Sequence, residues 1–280
     1  MEDFGFIIPS YCEDDIHLTQ LLRCLNSIRR FHPNNTILVI DDYSKVNLDD
    51  KLSSFDNIKV IKSFVKGAGD MVTFDVFRKT KLFKKAVIFQ DSMTLESELV
   101  NIEDIEDISY IWYFTNHRLY WHIIPEPKNE YNIKNNINVH DDAVMDSIKN
   151  FITNENFKKY ALDMYPKKDE WSGCFGCLGI IDIDFLEILN NETGIIDFLS
   201  NMDDNRKRRV AESIFALACK YVLGDSVFEK AYDGLYWDGK NEQRNKKMMN
   251  SRELGFDFNM RLDQVCKNDY FSKISFNRNL

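Results

Sequence analysis

Residues 4–42 contain two apolar runs, Phe4-Gly5-Phe6-Ile7-Ile8 and Thr36-Ile37-Leu38-Val39-Ile40, which indicate the fold class. The second run is followed by Asp41-Asp42. Runs of this length, bounded by turn residues, are typical of buried strands. Between them, residues 14–31 carry leucines at helical spacing, and an Asp stands where it can cap the helix. A strand, a helix and a strand in this order predict two parallel strands joined by a crossover helix.

Further apolar runs follow at helix-length distances along the chain, at residues 58–61 and 86–89. Repeated units of this kind predict an α/β fold, with a mixed, mainly parallel sheet flanked by helices in a single domain. The second half is less regular. We expect a strand at residues 107–114 and a loop or hairpin at residues 117–140. The helix candidates are residues 141–153 and 210–223.

Charge and composition limit the partners of the protein. The sequence has 280 residues, a formal net charge of -9 and a pI of about 5.2. Nucleic acids and anionic membranes attract basic surfaces, so neither is expected as a partner. The acidic start, Met1-Glu2-Asp3, and its short apolar run predict no signal peptide and no membrane span, and hence a cytoplasmic protein. Six irregularly spaced cysteines predict reduced thiols.

Acidic side chains follow two of the predicted strands. Asp41 and Asp42 follow the second strand, and Asp91 follows the fourth. The carboxyl ends of parallel strands meet at one edge of the sheet, where ligands bind in such folds. Carboxylates that converge there repel one another, so we expect a cation or a hydrogen-bonding ligand between them. A single Asp in this position can instead cap a helix or close a turn.

Three segments, in this order, resemble the opening of family 2-type glycosyltransferases of the GT-A fold. They are Phe6-Ile7-Ile8-Pro9-Ser10-Tyr11, Cys24-Leu25-Asn26-Ser27-Ile28 and Leu38-Val39-Ile40-Asp41-Asp42-Tyr43-Ser44. The resemblance implies one GT-A domain over residues 1–240, with a nucleotide-sugar-binding half at 1–110 and an acceptor and catalytic half at 111–240. Residues 241–280 would form a C-terminal extension.

In that family, the first loop and the Asp after the second strand hold the base and ribose of a nucleotide-sugar donor. By resemblance, residues 9–11 line the uridine pocket, and Asp42 bonds the base with Asp41 beside it. Lys66-Gly67-Ala68-Gly69 resembles the segment that passes close to the donor, where glycine has no Cβ to obstruct it. The donor-binding residues implied in this way are Pro9, Ser10, Tyr11, Asp41, Asp42, Gly67, Asp91 and Ser92.

The metal-binding Asp-x-Asp motif of the family is matched only in part, by Gln90-Asp91-Ser92-Met93. In the family, its carboxylates hold Mn²⁺ or Mg²⁺ on the donor diphosphate. Asp91 supplies the first carboxylate, and Met93 replaces the second with a thioether, which is a poor ligand for hard cations. Asp91 is therefore the implied metal ligand, with the binding of Mn²⁺ or Mg²⁺ weakened, moved elsewhere or absent. The histidines that could complete a Mn²⁺ site are His117, His122 and His140.

The catalytic base of the family is a carboxylate at the start of a helix in the second half. Glu212 matches that place, although Ser213 stands where the family has an Asp. A Glu in the first turn of a helix can also simply complement the helix dipole. Asp203 and Asp204 are the nearby alternatives for the base.

Residues 170–177, Glu-Trp-Ser-Gly-Cys-Phe-Gly-Cys, resemble the acceptor-side loop of the same enzymes. Gly173 would admit an acceptor closely, and Trp171 would offer a flat face to a sugar ring. Cys174 and Cys177 have the spacing of half a zinc site or of a redox pair. The sequence has no second Cys-x-x-Cys or His pair, so packing in a buried turn is the expected role of these cysteines.

The resemblance implies transfer of a hexosyl group from a nucleotide-diphosphate sugar, expected to be a UDP-sugar, to a hydroxyl of a glycan, protein or small-molecule acceptor. Inversion at the anomeric carbon would follow from a single in-line displacement. Glu212 would take the acceptor proton, and a metal at Asp91 or the basic run Arg206–Arg209 would stabilise the departing diphosphate.

A non-catalytic nucleotide-sugar-binding protein with a degenerate GT-A fold is the main alternative. A phosphoacceptor receiver domain fits less well, because a strand and a helix precede the acidic pair and no Lys-bearing final strand is evident. A sugar nucleotidyltransferase fits less well because no Gly-rich, basic loop follows the first strand.

Overall fold

The structure is a computed structural model, and it describes residues 1–114, 139–200, 205–225, 235–237, 262–267 and 271–276. Its strands are β1 (Glu2–Ser10), β2 (Ile37–Asp41), β3 (Ile58–Lys62), β4 (Phe83–Ile88), β5 (Met93–Leu95), β6 (Ile108–Tyr110), β7 (Tyr113–Phe114), β8 (Gly173–Cys174), β9 (Gly179–Asp182), β10 (Leu235–Trp237), β11 (Leu262–Lys267) and β12 (Phe271–Phe276). Its helices are α1 (Asp15–Phe31), α2 (Leu48–Leu52), α3 (Thr73–Thr80), α4 (Val139–Phe151), α5 (Glu155–Met164), α6 (Ile183–Thr193), α7 (Ile195–Ser200) and α8 (Asn205–Leu223). Short 3₁₀ helices lie at Gly69–Val72, Ile102–Asp104 and Phe175–Cys177.

A six-stranded sheet forms the centre of the protein, in the order β3-β2-β1-β4-β9-β6. The first four of these strands are mutually parallel. β9 runs antiparallel to both of its neighbours, β4 and β6. This mixed, mainly parallel sheet, with helices packed against it, confirms the predicted fold class.

Alternate side chains of β1 enter two hydrophobic cores, one on each face of the sheet. Phe6 and Ile8 pack with residues of α1 and α2, whereas Ile7 packs with residues of α3 and of the helices in the second half. All three side chains have no solvent exposure. The apolar run of β1 is continuous because both of its faces are covered.

The predicted elements of the first hundred residues are present, with small differences in their bounds. α1 begins after Asp14, whose Oδ1 accepts hydrogen bonds from the backbone N–H groups of Ile16 and His17, both at 3.0 Å. This is the N-cap that the sequence predicts. β1 extends beyond its apolar run because β4 pairs with its start at Glu2, and β2 pairs with its end at Pro9 and Ser10.

The prediction of one strand over residues 107–114 is wrong, because this segment forms two strands. β6 belongs to the central sheet, and β7 pairs with β8 and β10 in a three-stranded sheet. Between them, Trp112 is fully buried, with its ring centroid 6.0 Å from that of Phe175 and 6.3 Å from that of Phe271. The chain thus leaves the central sheet after β6, at the position where the Trp112 side chain enters the hydrophobic core.

Two parts of the architecture have no counterpart in the sequence-based predictions. β9 is a central strand, although it follows directly on the predicted acceptor-side loop. β11 and β12, from the predicted C-terminal extension, form a sheet with β5 in which Phe271 pairs with Leu95. Within the described ranges, no helix combines the length and the apolarity that crossing a membrane requires.

Candidate functional site

The carboxyl ends of β1 and β2 lie side by side and are joined through their backbones. Ser10 pairs with Asp41 in the parallel register, and the backbone N–H of Asp42 donates a hydrogen bond to the carbonyl oxygen of Ser10 at 2.8 Å. The first loop and the acidic pair therefore meet at one edge of the sheet, as the strand pattern predicts.

The end of β4 joins this edge through a side-chain contact. Ser10 Oγ donates a hydrogen bond to Asp91 Oδ2 at 2.8 Å, across the two parallel strands. Ser10 is 3% exposed, so its hydroxyl faces the carboxylate of Asp91 and not the solvent. Ser10 therefore links the ends of three strands, because its carbonyl oxygen accepts from the backbone of Asp42 and its hydroxyl donates to Asp91.

Asp42 holds a glycine-containing loop over the end of β2. Its Oδ1 accepts a hydrogen bond from the backbone N–H of Gly67 at 2.7 Å, and its Oδ2 accepts one from Gly69 at 3.0 Å. Gly67 has φ +82°, a left-handed backbone conformation that residues other than glycine rarely adopt. Asp42 is 8% exposed, so its carboxylate shapes the loop that was expected to pass close to a donor.

Asp41 closes a turn, which is the ordinary role of an Asp at the end of a strand. Its Oδ1 accepts a hydrogen bond from the backbone N–H of Ser44 at 2.8 Å. The hydroxyl of Ser44 accepts one in turn from the backbone N–H of Cys12 at 2.8 Å. These contacts fix the segment after Tyr11 against the segment after β2. Burial raises the pKa of the Cys12 thiol to about 12, against a smaller opposing effect of its hydrogen bond with Ser10.

Gln90 and Asp70 are two polar residues of this edge that sequence reasoning missed. Gln90 Nε2 donates a hydrogen bond to Asp70 Oδ2 at 2.5 Å, and Asp70 is 9% exposed. Asp70 follows directly on the Gly67-Ala68-Gly69 segment, and Gln90 directly precedes Asp91. Their places next to two recognised motifs are the signal that could have found them.

Met93, at the second position of the degenerate motif, is part of the core. Its side chain has no solvent exposure, and it packs in the same cluster as Phe89, Leu95 and Phe271. The backbone N–H of Gln90 donates a hydrogen bond to its sulfur at 3.4 Å. A thioether buried in this way does not fit the oxygen coordination that Mn²⁺ or Mg²⁺ prefers.

Within the Gln90-Asp91-Ser92-Met93 segment, the one carboxylate is that of Asp91, and its Oδ2 already accepts a hydrogen bond from the hydroxyl of Ser10. Across the described ranges, no three His, Cys, Asp or Glu side chains are grouped closely enough to hold a metal ion. The residues described near Asp91 thus do not reproduce the implied site for Mn²⁺ or Mg²⁺.

Glu212 connects the second half of the chain to this edge. Its Oε1 accepts a hydrogen bond from the backbone N–H of Gly176 at 2.9 Å. Gly176 has φ +62°, and a Cβ built on it would lie 3.4 Å from Gln90 Nε2. Glu212, on α8, is therefore bonded to a turn that lies near Gln90, the residue before Asp91.

The structure corrects the role expected for Trp171. The indole is buried, with 3% exposure, and its Nε1–H donates a hydrogen bond to the carbonyl oxygen of Tyr165 at 3.3 Å. Lys168 Nζ lies 5.3 Å from the ring centroid. The ring therefore packs inside the protein instead of offering a face to a sugar. Gly173 is also buried, in β8, opposite Phe114.

Cys174 and Cys177 are buried packing residues, as the sequence analysis expects. Both are at most 1% exposed, and Cys174 Sγ donates a hydrogen bond to the carbonyl oxygen of Leu178 at 3.5 Å. Burial raises the pKa of both thiols well above the ordinary value. Protonated, buried thiols are unreactive as nucleophiles and metal ligands.

Several candidates from the sequence lie outside the described residues. They are His117, His122, Asp203 and Asp204. The backbone of Arg206–Arg209 forms part of the first turns of α8, the same helix that carries Glu212.

No protein-family profile matches the sequence, and no curated protein matches it. Among solved structures, the chain is similar to S. aureus TarS 1–349 in complex with UDP, with 18% identity and a TM-score of 0.33, over 44% of this chain and 38% of that chain. The complex of TarS 1–349 with UDP-GlcNAc gives 18% identity and a TM-score of 0.33, over 44% and 37%. Another structure of TarS 1–349 gives 10% identity and a TM-score of 0.39, over 76% and 55%. The chain therefore spans less than two thirds of the length of each of these TarS chains.

Proposed function

We propose that the protein is a glycosyltransferase that uses a nucleotide-diphosphate sugar, with UDP as the nucleotide, and transfers a hexosyl group to a hydroxyl acceptor. One observation carries the proposal: Ser10, Asp42 and Asp91 meet at the carboxyl edge of a mainly parallel sheet. Ligands bind at this edge in α/β folds of this kind. The motif resemblance supplies the class of ligand.

On the donor side, we assign the first loop, Pro9–Tyr11, and Asp41 to the base and ribose. Asp42 supports that pocket indirectly, because both of its carboxylate oxygens accept hydrogen bonds from the loop that contains Gly67. Asp91 and Ser92 face the ribose and the diphosphate in this assignment. Asp91 is oriented for the task by the hydroxyl of Ser10.

On the acceptor side, we assign Glu212 the role of general base. Its carboxylate would take the proton of the acceptor hydroxyl while that oxygen forms a bond to the anomeric carbon. The bond from the anomeric carbon to the diphosphate oxygen breaks at the same time, and UDP departs on the opposite face, which inverts the configuration. The basic residues Arg206–Arg209 belong to the same helix and would stabilise the departing charge.

Calorimetric titration of the protein with UDP and a panel of UDP-sugars tests the donor site. We expect UDP to bind and ADP and GDP to bind at least about tenfold more weakly. Asp91→Ala should weaken the binding of UDP by a similar factor, whereas Asp142→Ala, an exposed change on α4, should leave it unchanged. Equal affinity for all three nucleotides, or no effect of Asp91→Ala, would contradict the proposal.

A non-catalytic nucleotide-sugar-binding protein is the second candidate, and the burial of Met93 in the motif favours it. The two candidates differ in turnover. Release of UDP from a panel of UDP-sugars, followed with a phosphatase-coupled assay, would identify an enzyme. Tight binding of UDP without hydrolysis or transfer of any donor would identify the binding protein.

A further inference from the structure

This inference rests on the proposed function and concerns how its donor site handles charge. We propose that the protein binds its nucleoside diphosphate without a divalent cation. In this arrangement Asp91 accepts a hydrogen bond from the nucleotide sugar. The second position of the Asp-x-Asp motif, Met93, belongs to the hydrophobic core.

Hydrogen-bond donors of the protein itself stabilise the charges of the carboxylates at this edge. Each of four carboxylates accepts at least one hydrogen bond from an N–H or O–H group. The pairs are Asp41 with the backbone of Ser44, Asp42 with the backbones of Gly67 and Gly69, Asp70 with the side chain of Gln90, and Asp91 with the hydroxyl of Ser10. Hydrogen bonds to an ionised carboxylate stabilise its charge. Repulsion among these groups is therefore relieved without a cation.

The side chain at position 93 lies in the hydrophobic core. Met93 lies in β5, and its partner in the register is Lys273 of β12. Its side chain has no solvent exposure and packs with Phe89 and Phe271. A carboxylate at this position would be placed in an apolar cluster, at a large cost in desolvation. The second ligand position is thus lost through the fold as well as through the residue type.

The carboxylate of Asp91 is bonded within the protein. Its Oδ2 is already the acceptor for a buried hydroxyl, that of Ser10. This contact joins the ends of β1 and β4 and occupies one lone pair of the carboxylate with a donor of the protein itself. In the proposed arrangement, the carboxylate also accepts a hydrogen bond from a sugar hydroxyl.

The affinity for UDP, measured in excess EDTA and again with Mn²⁺ or Mg²⁺ in excess, tests the inference. We expect the three dissociation constants to agree within about twofold. Binding of UDP that is about tenfold or more tighter with either cation would overturn the inference and leave the proposed nucleotide site intact. Absence of UDP binding in all three conditions would refute the nucleotide site itself, which is a different result.

A second measurement follows the metal directly. The electron paramagnetic resonance signal of aqueous Mn²⁺ is recorded with UDP alone and with UDP and the protein. We expect the protein to remove no more of the signal than UDP removes alone. Additional loss of signal that Asp91→Asn abolishes would establish Asp91 as a metal ligand and overturn the inference. Met93→Leu, which keeps the apolar packing, serves as the matched control and should leave both measurements unchanged.

Discussion

At the residue scale, Glu212 is bonded to a turn of the second half of the chain that lies near the end of β4. The backbone N–H of Gly176 donates to one carboxylate oxygen of Glu212, and Gly176 is close to Gln90. One oxygen of the Glu212 carboxylate is thus held by the turn at Gly176. A base that must meet an acceptor oxygen in one orientation benefits from such support.

Replacement of this carboxylate tests its assigned role. In Glu212→Gln, the amide oxygen can still accept the hydrogen bond from Gly176, but the side chain can no longer take a proton. We expect the release of UDP from the donor to slow by about 10²- to 10⁴-fold, the usual contribution of a general base. The dissociation constant for UDP and the melting temperature should stay close to those of the wild type. Glu192→Gln, an exposed change on α6, is the control, and equal rates for both variants would contradict the role.

The position of Asp91 was predictable from the sequence, because an acidic residue that follows an apolar parallel strand lies at the carboxyl edge of the sheet. Trp171 was assigned wrongly because a tryptophan in a Gly-rich stretch can face a ligand or the core with the same sequence pattern. Gln90 and Asp70 each lie next to a recognised motif, but their pairing was missed because a contact between residues 20 positions apart is not visible in the local sequence pattern.

At the scale of elements, the end of α1 has a titratable group inside the protein. His32 is 6% exposed, and its Nε2 accepts a hydrogen bond from the backbone N–H of Leu99 at 3.1 Å. Its ring also lies 5.5 Å from that of Phe4. Burial lowers the pKa of His32 below its ordinary value of 6.5, and the nearby Glu98 opposes this shift to a smaller extent.

This lowered pKa predicts a loss of stability in acid. Below pH 6.5 the unfolded chain binds a proton that folded His32 resists, so the free energy of unfolding should fall as the pH decreases through this value. In His32→Gln, the amide oxygen can still accept from Leu99 but does not titrate. Thermal unfolding of both proteins between about pH 7.5 and pH 5.5 should show the steeper decline in the wild type. Identical pH profiles would show that His32 does not titrate with unfolding.

The pairing of β1 with β4 depends on a residue without a side chain. A Cβ built on Gly5 would lie 2.2 Å from Cε1 of Phe83, well inside the contact distance. We expect Gly5→Ala to reduce the free energy of unfolding by about 1 to 3 kcal/mol, because the ring must move in a packed core. Urea denaturation measures the change. The double variant Gly5→Ala/Phe83→Leu should recover part of the loss relative to the two single changes, and strict additivity would contradict the steric cause.

At the scale of the whole molecule, the four parallel strands of the central sheet were predictable from the sequence, whereas β9 was missed and β6 was predicted only as part of a longer strand. β1 to β4 were predictable because each is an apolar run separated from the next by a crossover segment. β9 enters the sheet antiparallel from the second half, and β12 pairs with β5 from far along the chain. Such long-range pairings depend on tertiary contacts that a four- or three-residue segment does not encode.

The central claim is that a nucleotide binds where Ser10, Asp42 and Asp91 meet. A crystal structure, determined from crystals of the protein soaked in UDP, tests this claim. The account predicts density for the uridine against the first loop and Asp41, with the ribose or diphosphate next to Asp91. Density for UDP at a different part of the surface, or none at saturating UDP with this edge open to solvent, would contradict it.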